Sequence, residues 1–169
     1  RCRGQKRTWR CPHPRSGVVD AEYGAANRRI IAALAEANDA DPSAQHVYDD
    51  GPELGWQLAA ADVAVVDISA MVYDRLAADK PLLVTRPVDP EAVVDTHGYL
   101  SACEWLDAGL ASHIVEQTDR VLADPEAVAR LEQWVRHYFG DTSPGAATAR
   151  FHAAVDHLMD EWNRWDRQD

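Results

Sequence analysis

Apolar positions along this chain recur in two rhythms, one helical and one strand-like. From Asp20 to Asn38, residues Ile30, Ile31, Leu34 and Ala37 share one face while Arg28 and Arg29 lie off it, which predicts a helix. A loop with Asp41-Pro42 follows, then a short strand over His46–Tyr48 and, after the Gly51-Pro52 turn, a helix over Glu53–Ala60. The run Val63–Val66, ending at Asp67, has no polar residue, so a central strand buried on both faces is expected. Ser69 then caps a helix over Ala70–Ala78, with Val72, Leu76 and Ala77 as its apolar positions and Asp74 and Arg75 between them. Lys80-Pro81 stops that helix, and Leu82–Thr85 begins another strand.

Residues 86–117 are broken by Pro87, Pro90 and Gly98, with one short helix expected at Glu91–Asp95. Pro125–Phe139 reads as a helix announced by Asp124, with Val128, Leu131, Val135 and Tyr138 on one side. Gly140 should end it. Ser143 before Pro144 should cap the last helix, which runs to Trp165 with Phe151, Val155, Leu158 and Trp162 spaced four, three and four. Strands alternating with helices predict an α/β fold built on a doubly wound parallel sheet.

Composition narrows the class. A 169-residue chain with 46% hydrophobic residues suits one ordinary domain with a core. No apolar run approaches the roughly 20 residues of a membrane span. Cys2, Cys11 and Cys103 are odd in number and scattered, which argues against a disulfide framework and for a reducing compartment. Residues 1–15 hold six of the 17 basic residues, and no acid precedes Asp20. The remaining residues carry 11 basic against 28 acidic side chains. So acidic a body argues against a broad nucleic-acid face, whereas the basic arm suits either an irregular end or contact with an anionic surface.

Two places are candidates for chemistry. At Asp67-Ile68-Ser69-Ala70 a strand end runs straight into a helix N-terminus, where free backbone N–H groups and the positive dipole end favour an anion such as phosphate. Capping alone would also explain that turn. At Cys11-Pro12-His13-Pro14 two prolines fix an imidazole in an extended loop, which suits a group that donates to phosphate or acts in acid–base chemistry. An ordinary loop histidine is the simpler account. Cys2, Cys11 and His13 lack zinc-ligand spacing, and no metal site is expected.

Three motifs in order resemble one family. Pro12-His13-Pro14-x-x-Gly17, then ADVAVVDISAMVYDRLAADKPLLV from Ala61 to Val84, then the YFGD-x-x-PGAATARF stretch from Tyr138 to Phe151 resemble the C-terminal half of the CDP-glycerol glycerophosphotransferases of teichoic-acid-type polymer synthesis. The likeness spans roughly residues 11 to 160. Cys11 stands where the family usually has Lys, and Ala70 where it has a second Ser.

The resemblance implies a glycosyltransferase-B-like architecture. Residues 1–17 would form a basic segment and the Pro-His-Pro loop, and residues 18–165 a Rossmann-like nucleotide-binding domain. The N-terminal partner domain would be absent from this sequence. It further implies transfer of glycerol phosphate from CDP-glycerol to a hydroxyl of a cell-surface polymer acceptor, with release of CMP and no cofactor. His13 would be the catalytic residue and Asp67, Ser69 and Ala70 the donor-phosphate site. The location implied is cytoplasmic, peripheral at the inner face of the membrane, with no nucleic-acid partner. A nucleotide-sugar glycosyltransferase domain is the nearest alternative, and a truncated, non-catalytic α/β module the next.

Overall fold

The computed structural model describes residues 6–12, 20–51 and 55–167. The chain divides into two compact units, Arg1–Gln57 and Leu58–Asp169. In the first, β1 (Trp9–Arg10) pairs in parallel with β2 (Val47–Tyr48), with Trp9 opposite Val47. Between them runs α1 (Ala21–Ala40), capped by Asp20, whose carboxylate accepts the Tyr23 N–H at 3.0 Å. Near the end of α1, Asn38 grips the entry to β2 with both halves of its amide. Its Nδ2 donates to the His46 carbonyl at 2.9 Å, and its Oδ1 accepts the His46 N–H at 2.7 Å. The Trp9 and Trp56 rings meet edge-on at 5.0 Å. The helical face read from the sequence is present, but only half-buried at Ile30 and Leu34, and Ile31 lies exposed.

A short helix, α2 (Trp56–Ala60), leads into the second unit. There β3 (Ala64–Val66), β4 (Leu82–Thr85) and β5 (Glu104–Leu106) form a parallel sheet in the order β3-β4-β5. Between β3 and β4 the chain crosses over through α3 (Ala70–Ala77). After β5 come α4 (Ile114–Ala123), α5 (Glu126–Phe139) and α6 (Ala146–Trp165). The α/β class with parallel pairing is therefore present, in small sheets accompanied, among the described residues, by six α-helices.

The centre of the sheet is β4. Its Leu82 and Val84 pack with Val72 and Leu76 of α3, Leu131 and Val135 of α5, and Leu100 and Cys103. Leu83 points the other way, to Val121 of α4 and Ala127 of α5, with Val63 and Ile114 alongside. Burial of each such side chain is worth roughly 1.5–3 kcal/mol. The expected central place of the Val63–Asp67 segment is corrected here: β3 is an edge of this sheet, and Val65 stays 42% exposed. The expected helix at Glu91–Asp95 is instead a turn, in which Asp89 Oδ1 accepts the Glu91 N–H at 2.9 Å and the Asp89 carbonyl accepts from Ala92 at 3.1 Å.

The ends of α5 follow the sequence, whereas the start of α6 departs from it. Asp124 accepts the Glu126 N–H at 2.9 Å and so starts α5, and Gly140 ends it at φ 65°, a conformation natural to glycine. For α6 the cap is Gly145 at φ 84°, two residues beyond the expected Ser143. Ser143 instead has its N–H held by Asp141 Oδ1 at 2.8 Å, while its carbonyl accepts from Ala146 at 3.0 Å.

One polar side chain is wholly enclosed. Arg75, on α3, is 0% exposed and spends all five N–H donors on backbone carbonyls. Its Nε and Nη2 donate to Pro81 at 3.1 and 3.0 Å, Nη1 donates to Ala61 at 3.0 Å and to Leu58, and Nη2 also donates to Asp62 at 3.0 Å. Burial pulls the guanidinium down to about 10, countered by the Asp62 carboxylate, so it stays charged at neutral pH.

Two outcomes are expected. Arg75→Met leaves the Leu58, Ala61 and Asp62 carbonyls without this donor, each at about 1–3 kcal/mol, so urea unfolding should show a loss above about 3 kcal/mol. Arg75→Lys should recover only part of it, because an ammonium has three donors in a different geometry. For Asp124, the Glu126 N–H and then Arg130 hold the carboxyl below its ordinary range. Its contribution is therefore full above the unfolded value and lost as pH falls through the lower folded one. The stability difference between wild type and Asp124→Asn should be constant at neutral pH and shrink in acid.

Candidate functional site

Parallel strands put every strand C-terminus at one edge, and in the second unit that edge carries Asp67 after β3, Arg86 after β4 and Asp107 after β5. The β3–α3 turn is tight. Ser69 is the cap of α3 in extended conformation, and its N–H donates to the Asp67 carbonyl at 2.9 Å. Its hydroxyl donates to Asp67 Oδ1 at 2.5 Å and accepts a long bond from the Met71 N–H at 3.4 Å. The Ser69 carbonyl accepts from Val72 at 3.1 Å. Among the described residues none of these bonds uses the Ala70 N–H, which remains a donor at the positive end of the helix. Asp67 and Ala70 are exposed and Ser69 is half-buried.

The three expected phosphate-site residues thus occupy one turn, with distinct roles. Ala70 offers backbone alone, having no hydroxyl. Asp67 accepts the Ser69 hydroxyl in a charge-assisted bond and adds negative charge beside the donors, which orients Ser69 rather than attracting an anion. His13 lies outside the described residues, and its position relative to this turn is not part of the structure.

A cation stands at the neighbouring strand end. The Arg86 guanidinium lies 4.6 Å from the centre of the Trp105 ring, and its Nε pairs with Asp107 at 2.8 Å. Its backbone N–H donates to the Leu106 carbonyl at 2.9 Å, closing β4 against β5. Sequence reading passed over this cluster because β5 itself was hidden. Opposite charges immediately after two successive strands, Arg86 and Asp107, and an aromatic residue within the second, Trp105, were the available signal.

One turn into α3, Tyr73 meets Tyr99 and Tyr138 edge-on at 5.0 and 5.1 Å, and Trp134 stacks on Tyr138. Desolvation, then the hydrogen bond with Tyr73, pushes Tyr99 up to about 12, and Tyr138 rises for similar reasons. These phenols stay neutral at physiological pH. Their work is to pin the first turn of α3 to α5 and to the Gly98–Ser101 turn. Cys103 is also pushed to about 12, by burial first, and donates its S–H to the Tyr99 carbonyl at 3.3 Å, so it is no nucleophile. The described residues contain no group of three or more His, Cys, Asp or Glu side chains placed to hold a metal ion. Among them, no helix is long and apolar enough to cross a membrane.

No protein-family model, no curated protein and no solved structure matches this chain.

The cap makes a direct prediction. Ser69→Ala removes the side-chain acceptor at the start of α3 and should lower stability by about 0.5–2 kcal/mol in thermal unfolding, whereas Ser69→Asp should retain most of it.

Proposed function

We propose that this chain is the donor-binding half of a CDP-glycerol glycerophosphotransferase, with a doubly wound, Rossmann-like domain of the glycosyltransferase-B type. In this reading it holds CDP-glycerol by its diphosphate while glycerol phosphate moves to a hydroxyl of a cell-surface polymer and CMP leaves. The observation that carries it is the β3–α3 turn, where Ala70 leaves a backbone donor at a helix N-terminus beside a parallel strand end. Helices against both sides of β4 agree with the double winding. The Ser69 hydroxyl joins when it swings from Asp67 to a phosphate oxygen. His13 supplies a hydrogen bond or positive charge to the leaving phosphate. The acceptor base comes from a partner domain, and the enzyme works in the cytoplasm, peripheral at the inner membrane face.

Calorimetry with CDP-glycerol, CMP and a uridine-linked sugar tests the proposal. Binding should favour the cytidine ligands and weaken by about 0.5–1.5 kcal/mol in Ser69→Ala, the net worth of one hydrogen bond. Ala70→Asp is the sharper variant. An acidic residue in the first turn suits the helix itself, yet sets a carboxylate against the phosphate. That variant should fold normally and bind poorly. Equal affinity for all three ligands, or none for any, would leave only the fold.

A further inference from the structure

The last helix, α6, has no buried residue over its twenty positions. Along one side it exposes Phe151, Val155, Leu158, Met159, Trp162 and Trp165, the two tryptophans at 69% and 73%. Phe151, Val155, Leu158, Trp162 and Trp165 are spaced four, three, four and three, the alternation of a helix-pair seam rather than of a helix lying on a sheet. Large aromatics bury about 150–250 Å² each, so at the observed exposures these six side chains offer roughly 700 Å². A standard interface takes about 800 Å² from each partner. The face is the right size for a stable pair.

Charge decides what fits. Outside the apolar face the helix carries Arg150 and Arg164 against Asp156, Asp160 and Glu161, so it lacks the basic rim that an anionic bilayer would hold. Flanking the seam are His152 toward one end and Glu161 and Asp166 toward the other. A parallel pair would set Glu161 beside Asp166 on both flanks, which is repulsive. An antiparallel pair sets the His152 end of one helix against the Asp166 end of the other, and opposes the helix dipoles. It also seats large side chains against smaller ones, Trp162 on Leu158 and Trp165 on Val155.

We propose that α6 is a homodimerisation helix, packing antiparallel against α6 of a second copy of this chain. With dissociation in the micromolar range, sedimentation equilibrium of the whole chain should approach twice the 18.7 kDa monomer mass at about 100 µM and fall toward the monomer mass near 1 µM. Leu158→Glu with Trp162→Glu should sediment as monomer, while thermal unfolding of the body, followed by the Leu82–Thr85 strand amides in hydrogen exchange, stays unchanged. Arg164→Ala, on the polar side, should leave the dimer intact. A wild-type monomer at the highest concentration would overturn the proposal. So would a double variant that remains dimeric, or a monomer that binds phosphatidylglycerol vesicles through α6.

Discussion

The second unit depends on a buried cation that, among the described residues, no carboxylate neutralises by contact. Arg75 reaches the end of α2, the Ala61–Asp62 approach to β3 and Pro81 just before β4, and its five donors are all used. Pro81 also accepts the Ala64 N–H at 3.2 Å, so one carbonyl ties the two strands to each other and to the helix between them. An uncompensated charge in such a place would cost several kcal/mol. Here the converging carbonyl dipoles replace the water it has lost. Because Arg75 lies in the last turn of α3, it also sits at the negative end of the helix dipole. Fixing that end fixes the other, and an eight-residue helix spans about 12 Å, enough to deliver its N-terminus to the opposite edge of the sheet.

A second set of contacts reinforces that delivery. The tyrosines of α3, α5 and the Gly98–Ser101 turn hold the first turn of α3 sideways, while Arg75 holds its end. On the far side, Glu104 of β5 binds Arg120 of α4 at 3.1 Å and Arg130 of α5 at 2.9 Å, and Arg130 also binds Asp124 at 2.8 Å. Such half-exposed pairs add little stability singly, but a connected set fixes where a three-residue strand lies. The turn at Asp67–Ala70 is thereby held on a rigid frame, the condition for backbone donors to act on an anion without reorganising.

Much of this was legible in the chain. The helices α1, α5 and α6 and the strand β4 appear where long periodic or unbroken apolar segments put them, and Ser69 and Asp124 hold the first turns of α3 and α5 as their side-chain chemistry dictates. Other features failed for identifiable reasons. Arg75 was read as polar, yet it stands three residues after Val72 and one before Leu76, on the buried face, and its type outweighed its position. Val63–Val66 has the composition of a doubly covered strand, but composition does not say how many neighbours a strand has, and β3 has one in its sheet. β5 was invisible because it is only three residues long and opens on the charged Glu104. At the site, the turn was legible while its internal bonding was not: the hydrogen bond from the Ser69 hydroxyl to Asp67 needs a geometry that spacing alone does not supply.

The same contrast between spacing and burial separates α5 from α6. Both show apolar residues at helical intervals, but α5 buries Ala127, Leu131 and Val135 in the two clusters around β4 whereas α6 buries nothing. Local anchoring of α6 is slight. Arg150 donates to the Phe139 and Asp141 carbonyls at 2.8 and 2.9 Å, and His157 faces Glu161 at 3.5 Å one turn on. A pair at that spacing contributes only about 0.2–0.5 kcal/mol. Helical stability in proteins comes mostly from packing an apolar face, so a long helix secured only at its start carries its stabilising interaction elsewhere. Phe151, Leu158, Trp162 and Trp165 are all open to water, and the proposed dimer would supply that interaction, making the ordering of α6 and the association of two chains one cooperative event.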